Sequence, residues 1–136
     1  MTGTVTVRTK ITAIPKPTAV LTVFDTARYE HIPKIIFTKG GGQWLEAQAK
    51  IGASAIGLDW QTDIAKARRI IGNNITLQGN FDPSRLLSPI SEIQKMVKEM
   101  IDGFGTTKYI ANLGHGILPE TNPDMVEYLV GIVKNY

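Results

Sequence analysis

Cysteine is missing from all 136 residues. That excludes a disulfide framework and fits a reducing compartment. No apolar run is long enough to span a bilayer, and no charged-then-apolar leader opens the sequence, so a cytoplasmic location without membrane partners is expected. A basic stripe with interleaved aromatics is missing too. The net charge is +3, but the basic residues are scattered among acids, apart from Arg68 and Arg69, so no nucleic-acid partner is expected. A modest positive balance suits a small polyanionic substrate instead.

Nucleotide and metal motifs are equally scarce. The Gly-x-x-x-x-Gly-Lys-Ser/Thr pattern does not occur, and Gly40-x-Gly42 has Leu45 where a third glycine would complete a dinucleotide fingerprint. Asp25, Asp59, Asp82 and His115 are the candidates to meet around a divalent ion, yet neither His-x-x-x-His nor an Asp-x-Asp-x-Asp-Gly loop is present. Neither a cofactor nor a metal is therefore expected. His31 reads as an exposed loop residue.

What is present is a core and a regular rhythm. Hydrophobic residues make up 43% of the chain and charged residues 20%, the balance of a single globular domain over residues 1–136. Residues 1–17 read as one strand and a linker, and residues 18–26 as a second apolar strand. After Pro33, β and α patterns alternate. Strand 34–38 precedes helix 43–51. Strand 55–60 precedes a helix capped by Thr62 and ended at Gly72. Strand 75–78 and a turn through Gly79, Asn80 and Pro83 precede a long helix with Ile90, Ile93, Met96, Val97, Met100, Ile101 and Phe104 on one stripe, stopped by Gly105. Strand 109–113 precedes helix 124–134, with Asn122 as N-cap and Pro123 fit for the first helical position.

Four consecutive β-then-α units predict an α/β fold with a parallel sheet, and the near-continuous apolar strands fit burial on both faces. A (β/α)₈ barrel of the TIM type takes about 250 residues, so the chain holds roughly the C-terminal half of one. Half a barrel leaves two open sheet edges, covered by a partner, by the N-terminal strands, or not at all. The connection over residues 27–32 is shorter than the dozen or so residues of a parallel crossover. Strand 18–26 is therefore not expected to lie parallel beside strand 34–38.

Barrel strands bring their C-terminal ends to one face, which here collects Asp25, Thr26, Thr38, Lys39, Asp59, Gln78, Asn80, Asn112 and His115. Of these, His115 stands out. It lies between Gly114 and Gly116 at the end of a strand, where glycine angles allow a sharp turn that turns imidazole and amides toward a ligand. By residue type alone, His115 is either such a ligand-facing group or a plain turn residue.

Phe37-Thr38-Lys39-Gly40-Gly41-Gly42-Gln43-Trp44-Leu45-Glu46, Gly57-Leu58-Asp59-Trp60, Leu77-Gln78-Gly79-Asn80-Phe81-Asp82-Pro83 and Asn112-Leu113-Gly114-His115-Gly116 resemble, in order and spacing, the uroporphyrinogen decarboxylase family. The resemblance runs almost continuously over residues 32–136, and Phe24-Asp25-Thr26 looks like the end of the family's preceding strand, so residues 18–136 are placed and residues 1–17 are not.

The resemblance implies a cofactor-free, cytoplasmic carboxy-lyase of haem biosynthesis, usually a homodimer. It decarboxylates the four acetate arms of uroporphyrinogen III to give coproporphyrinogen III. His115 matches the family's substrate-contacting histidine, Thr26 its hydroxyl residue and Phe24 an aromatic at the cleft. All three are substrate-binding assignments. The family's carboxylate-gripping arginines and its catalytic aspartate lie in the N-terminal half, which this sequence does not match, so no catalytic residue is expected here. The rival expectation is a non-catalytic half-barrel remnant or assembly module that needs a partner chain. Methyltransferases of the wider superfamily hold zinc with cysteines on this half of the barrel, and none is available.

Overall fold

The computed structural model describes residues 31–136. The expected strands within residues 1–30, with Phe24, Asp25 and Thr26, lie outside the described residues. The described chain alternates strand and helix: β1 (Ile35–Phe37), α1 (Leu45–Ala49), β2 (Ala55–Gly57), α2 (Ile64–Ile71), β3 (Thr76–Phe81), α3 (Ile90–Phe104), β4 (Tyr109–Leu113) and α4 (Pro123–Lys134). Short 3₁₀ turns at Gly41–Gln43 and Pro83–Leu87 lead into α1 and α3. All strand pairs are parallel, in the order β1-β2-β3-β4. This is the sequential α/β arrangement of a barrel segment, as expected.

Register divides the residues between the two faces of the sheet. Ile36, Ile56, Leu77 and Tyr109 are aligned across the strands and belong to the core formed with the helices. Ile56 and Leu77 are completely buried there, each contributing about 1.5–3 kcal/mol by leaving water. The stripe on α3 closes this core with Ile93, Val97, Met100, Ile101 and Phe104. Arg68 at the end of α2 ties the lower rim, donating to the carbonyls of Gly72, Phe104 and Lys108.

The other face differs from expectation. Phe37, Gly57, Gln78 and Ile110 are aligned on it, and Ile35, Phe37 and Ile110 are 56%, 49% and 41% exposed. The strands are apolar on both sides, but among the described residues helices cover only one. The uncovered side is the one that a closed barrel would turn inward.

Local differences have simple causes. α2 begins at Ile64, so Asp63 rather than Thr62 is its cap, accepting from the Lys66 N–H. Thr62 is instead buried, and its carbonyl accepts from the Asn80 side chain. The turn expected at Gly79 is ladder: Gly79, Asn80 and Phe81 pair with Ala111, Asn112 and Leu113. Gly79 is required there because its φ is 128° and a Cβ would stand 2.8 Å from the Leu58 carbonyl oxygen. The α4 cap follows expectation, with Asn122 accepting from the Asp124 N–H at 3.0 Å.

Candidate functional site

The C-terminal strand ends converge on one carboxylate. Asp59 follows β2 by two residues, and its side chain is only 2% exposed. A buried charge is costly unless its oxygens are satisfied, and here they are. Oδ1 accepts from the Gln61 N–H at 2.9 Å, and Oδ2 accepts from the Gly40 N–H at 2.9 Å. Oδ2 also lies 3.0 Å from His115 Nε2. Asn80, at the end of β3, locks the same loop through its Nδ2, which donates to the carbonyls of Asp59 at 3.0 Å and Thr62 at 2.8 Å.

Burial pushes the Asp59 carboxyl upward, but the Gln61 amide, the Gly40 amide and His115 together hold it below the ordinary carboxylate range. Asp59 is thus an anion at neutral pH, able only to accept. The proton on the Nε2 side of His115 therefore belongs to this contact.

His115 itself is part-exposed, at 24% of its side chain. Phe37, on the uncovered face of β1, meets the imidazole edge-on with ring centroids 6.2 Å apart. Among the described residues, Nδ1 has no hydrogen-bond partner, leaving it available to a ligand.

The glycines around this histidine act differently from the sequence expectation. Neither Gly114 nor Gly116 adopts a positive φ. Gly114 is there for space: a Cβ would fall 2.3 Å from the Trp60 backbone nitrogen and 2.7 Å from its Cα. The β4 loop is thereby pressed against the residue after Asp59, which brings His115 within reach of the carboxylate. Around Gly116 the space is open.

Of the predicted strand-end set, Asp59, Asn80 and His115 come together with the backbone of Gly40. Thr38 contributes its carbonyl, which accepts from the Gly41 N–H at 3.0 Å. Lys39 and Asn112 are exposed on the same rim, while Phe24 and Thr26 lie outside the described residues. Among the described residues, no three His, Cys, Asp or Glu side chains are grouped to hold a metal ion. Sequence reasoning missed the role of Asp59. The sequence put it inside strand 55–60 as one polar residue near a strand end, whereas β2 stops at Gly57; its partner is 56 positions away, and only the parallel order of the strands brings the two together.

Known proteins agree with this architecture. The solved structure of a methyltransferase from Methanosarcina mazei superposes with a TM-score of 0.68 at 21% identity, over 88% of this chain and 37% of that one, a likeness of fold. The uroporphyrinogen decarboxylase of Flavobacterium johnsoniae is 55% identical over 104 residues, covering 76% of this chain and 30% of the relative. That of Escherichia coli is 52% identical over 94 residues, 68% of this chain and 27% of the relative. The chain thus spans less than a third of the length of these curated relatives. The family model described as uroporphyrinogen decarboxylase (URO-D) matches residues 17–136, and the chain accordingly belongs to the uroporphyrinogen decarboxylase family.

Proposed function

We propose that this chain forms the C-terminal wall of a uroporphyrinogen decarboxylase cleft, and that His115 contacts a carboxylate of the substrate there. The observation that carries the reading is His115 itself, part-exposed at the strand-end face and braced by a buried anion. In the reaction, each acetate arm of uroporphyrinogen III loses carbon dioxide. The pyrrole ring is protonated, the C–C bond breaks and its electron pair passes into the ring, the exocyclic carbon takes up a proton to become the methyl group of coproporphyrinogen III, and the ring releases the proton it had gained, so that each arm consumes one proton net. No cofactor enters this balance.

The chain's own contribution is orientation. A protonated imidazole donates a charge-assisted hydrogen bond to a carboxylate, worth about 1.5–3 kcal/mol. The family resemblance assigns substrate binding to Thr26 and Phe24 as well. Stabilisation of the charge that develops on the ring, usually a large term, falls to the family's N-terminal aspartate, and the grip on the carboxylates to its arginines. The chain alone therefore binds without turning over.

The uncovered sheet face carrying Ile35, Phe37 and Ile110 supports a second element of the proposal. The chain associates, as a homo-oligomer or with a polypeptide corresponding to the family's N-terminal half, because such a face and the edges of β1 and β4, which pair with no further strand among the described residues, favour a partner. We place it in the cytoplasm. No helix among the described residues is long and apolar enough to cross a membrane.

Titrating the purified chain with uroporphyrin III, the air-stable oxidised octacarboxylate, tests the binding role. His115→Ala is expected to weaken binding by about 10- to 100-fold. Equal affinity of the variant and the parent overturns the assignment of His115.

A further inference from the structure

Asp59 carries more than a structural load. A carboxylate that only capped the Gly40 and Gln61 amides would not need a third donor, yet its Oδ2 also receives the imidazole edge at 3.0 Å. Three elements fix this contact: the loop after β1 through Gly40, the loop after β2 through Asp59 itself, and the close approach of Gly114 to Trp60.

We propose that Asp59 is the positioning residue of His115, holding the Nε2 proton inward so that Nδ1 is the atom offered to substrate. The proposal rests on the reading that His115 faces substrate, and it adds a condition to it. Nε2–H is committed to Asp59 whether the ring is neutral or charged. A neutral ring then presents a bare Nδ1, which accepts a hydrogen bond and repels a carboxylate. Only the imidazolium presents Nδ1–H. A substrate carboxylate at this position is therefore bound together with one proton, and its affinity falls by up to about tenfold per pH unit once the ring has lost its charge.

The charged group bonded to the ring is Asp59. Phe37, the neighbour from β1, carries no charge, and Lys39 is exposed on the loop that supplies the Gly40 amide.

The experiment uses ¹⁵N-histidine-labelled chain, with exposed His31 as the internal reference, and nitrogen-detected tautomer assignment by NMR. The expected result is a neutral His115 ring protonated at Nε2. A ring protonated at Nδ1, or a tautomer mixture like that of His31, overturns the proposal. Asp59→Asn is expected to lose the Nε2 preference. If it lowers only the melting temperature and leaves the His115 tautomer unchanged, Asp59 is merely structural and the proposal fails.

Because Asp59→Asn also disturbs two backbone amides, a second pair of variants leaves Asp59 in place. Asparagine puts its amide where Nδ1 lies and glutamine where Nε2 lies. In uroporphyrin III titrations, His115→Asn should retain more affinity than His115→Gln, with a weaker pH dependence than the parent chain; the reverse order overturns the proposal. An Nε2-protonated ring in a chain that binds no uroporphyrin III supports the positioning role while overturning the substrate reading, so the two failures are distinct.

Discussion

Replacing Gly114 by alanine tests how the site is assembled. The added methyl carbon would lie 2.3 Å from the Trp60 nitrogen and 2.7 Å from both its Cα and its Cβ, against a comfortable separation of about 3.5–4.0 Å. Two of these three atoms are backbone, so no rotamer change relieves the clash. Retreat of β4 is opposed by the Gly114 N–H, which donates to the Phe81 carbonyl at 2.8 Å. One of the two loops must shift by about 1 Å or more to restore contact distances. Overpacking usually costs about 1–3 kcal/mol, and a clash against backbone belongs at the top of that range. About 3 kcal/mol corresponds to a fall in melting temperature of roughly 10 °C or more for a domain of this size.

Gly116→Ala is the matched control, because nothing lies within 4 Å of its added carbon; it should stay within about 0.5 kcal/mol of the parent. Thermal and urea unfolding followed by circular dichroism read both variants. A Gly114→Ala chain that melts with the Gly116→Ala chain refutes the reasoning that close approach, rather than backbone angle, selects this glycine.

Two further outcomes follow from buried polar groups. Tyr109 stacks on Phe104 with centroids 4.4 Å apart. Its hydroxyl donates to the Gly79 carbonyl, and burial pushes the phenol well above its ordinary value. Tyr109→Phe should therefore cost about 0.5–1.5 kcal/mol in urea unfolding, and an unchanged midpoint would contradict that bond. Asp59 should make the chain acid-sensitive: because its folded value is depressed, its stabilisation is present above the unfolded value of about 3.9 and is lost as pH falls through the folded value. The stability gap between the parent and Asp59→Asn should be constant near neutrality and close below about pH 4; a gap that instead widens in acid would contradict the assignment.

The alternation of elements was legible because each depends on local signals. The stripe of α3, the Asn122 cap and the apolar core strands all follow from spacing within a few residues. What escaped depends on distant neighbours. Gly79 and Asn80 are turn formers by type, but pairing with β4 extends β3 through them. Thr62 and Asp63 are both good caps, and the choice is made by where Thr62 is buried against Gly42 and Asn80. The contact between Asp59 and His115 required knowing that β3 lies between β2 and β4. The uncovered face could not be read from Ile35 or Phe37, since an apolar strand looks the same whether its second face meets a helix or a barrel interior.

The most direct test is decarboxylation with and without a complementing fragment. The purified chain is supplied with uroporphyrinogen III anaerobically, alone or mixed with a polypeptide corresponding to the part of the Flavobacterium johnsoniae relative that precedes the matched region. Carbon dioxide and coproporphyrinogen are expected only from the mixture, at a rate lowered by His115→Ala. Turnover by the chain alone, unaffected by His115→Ala, would contradict this expectation.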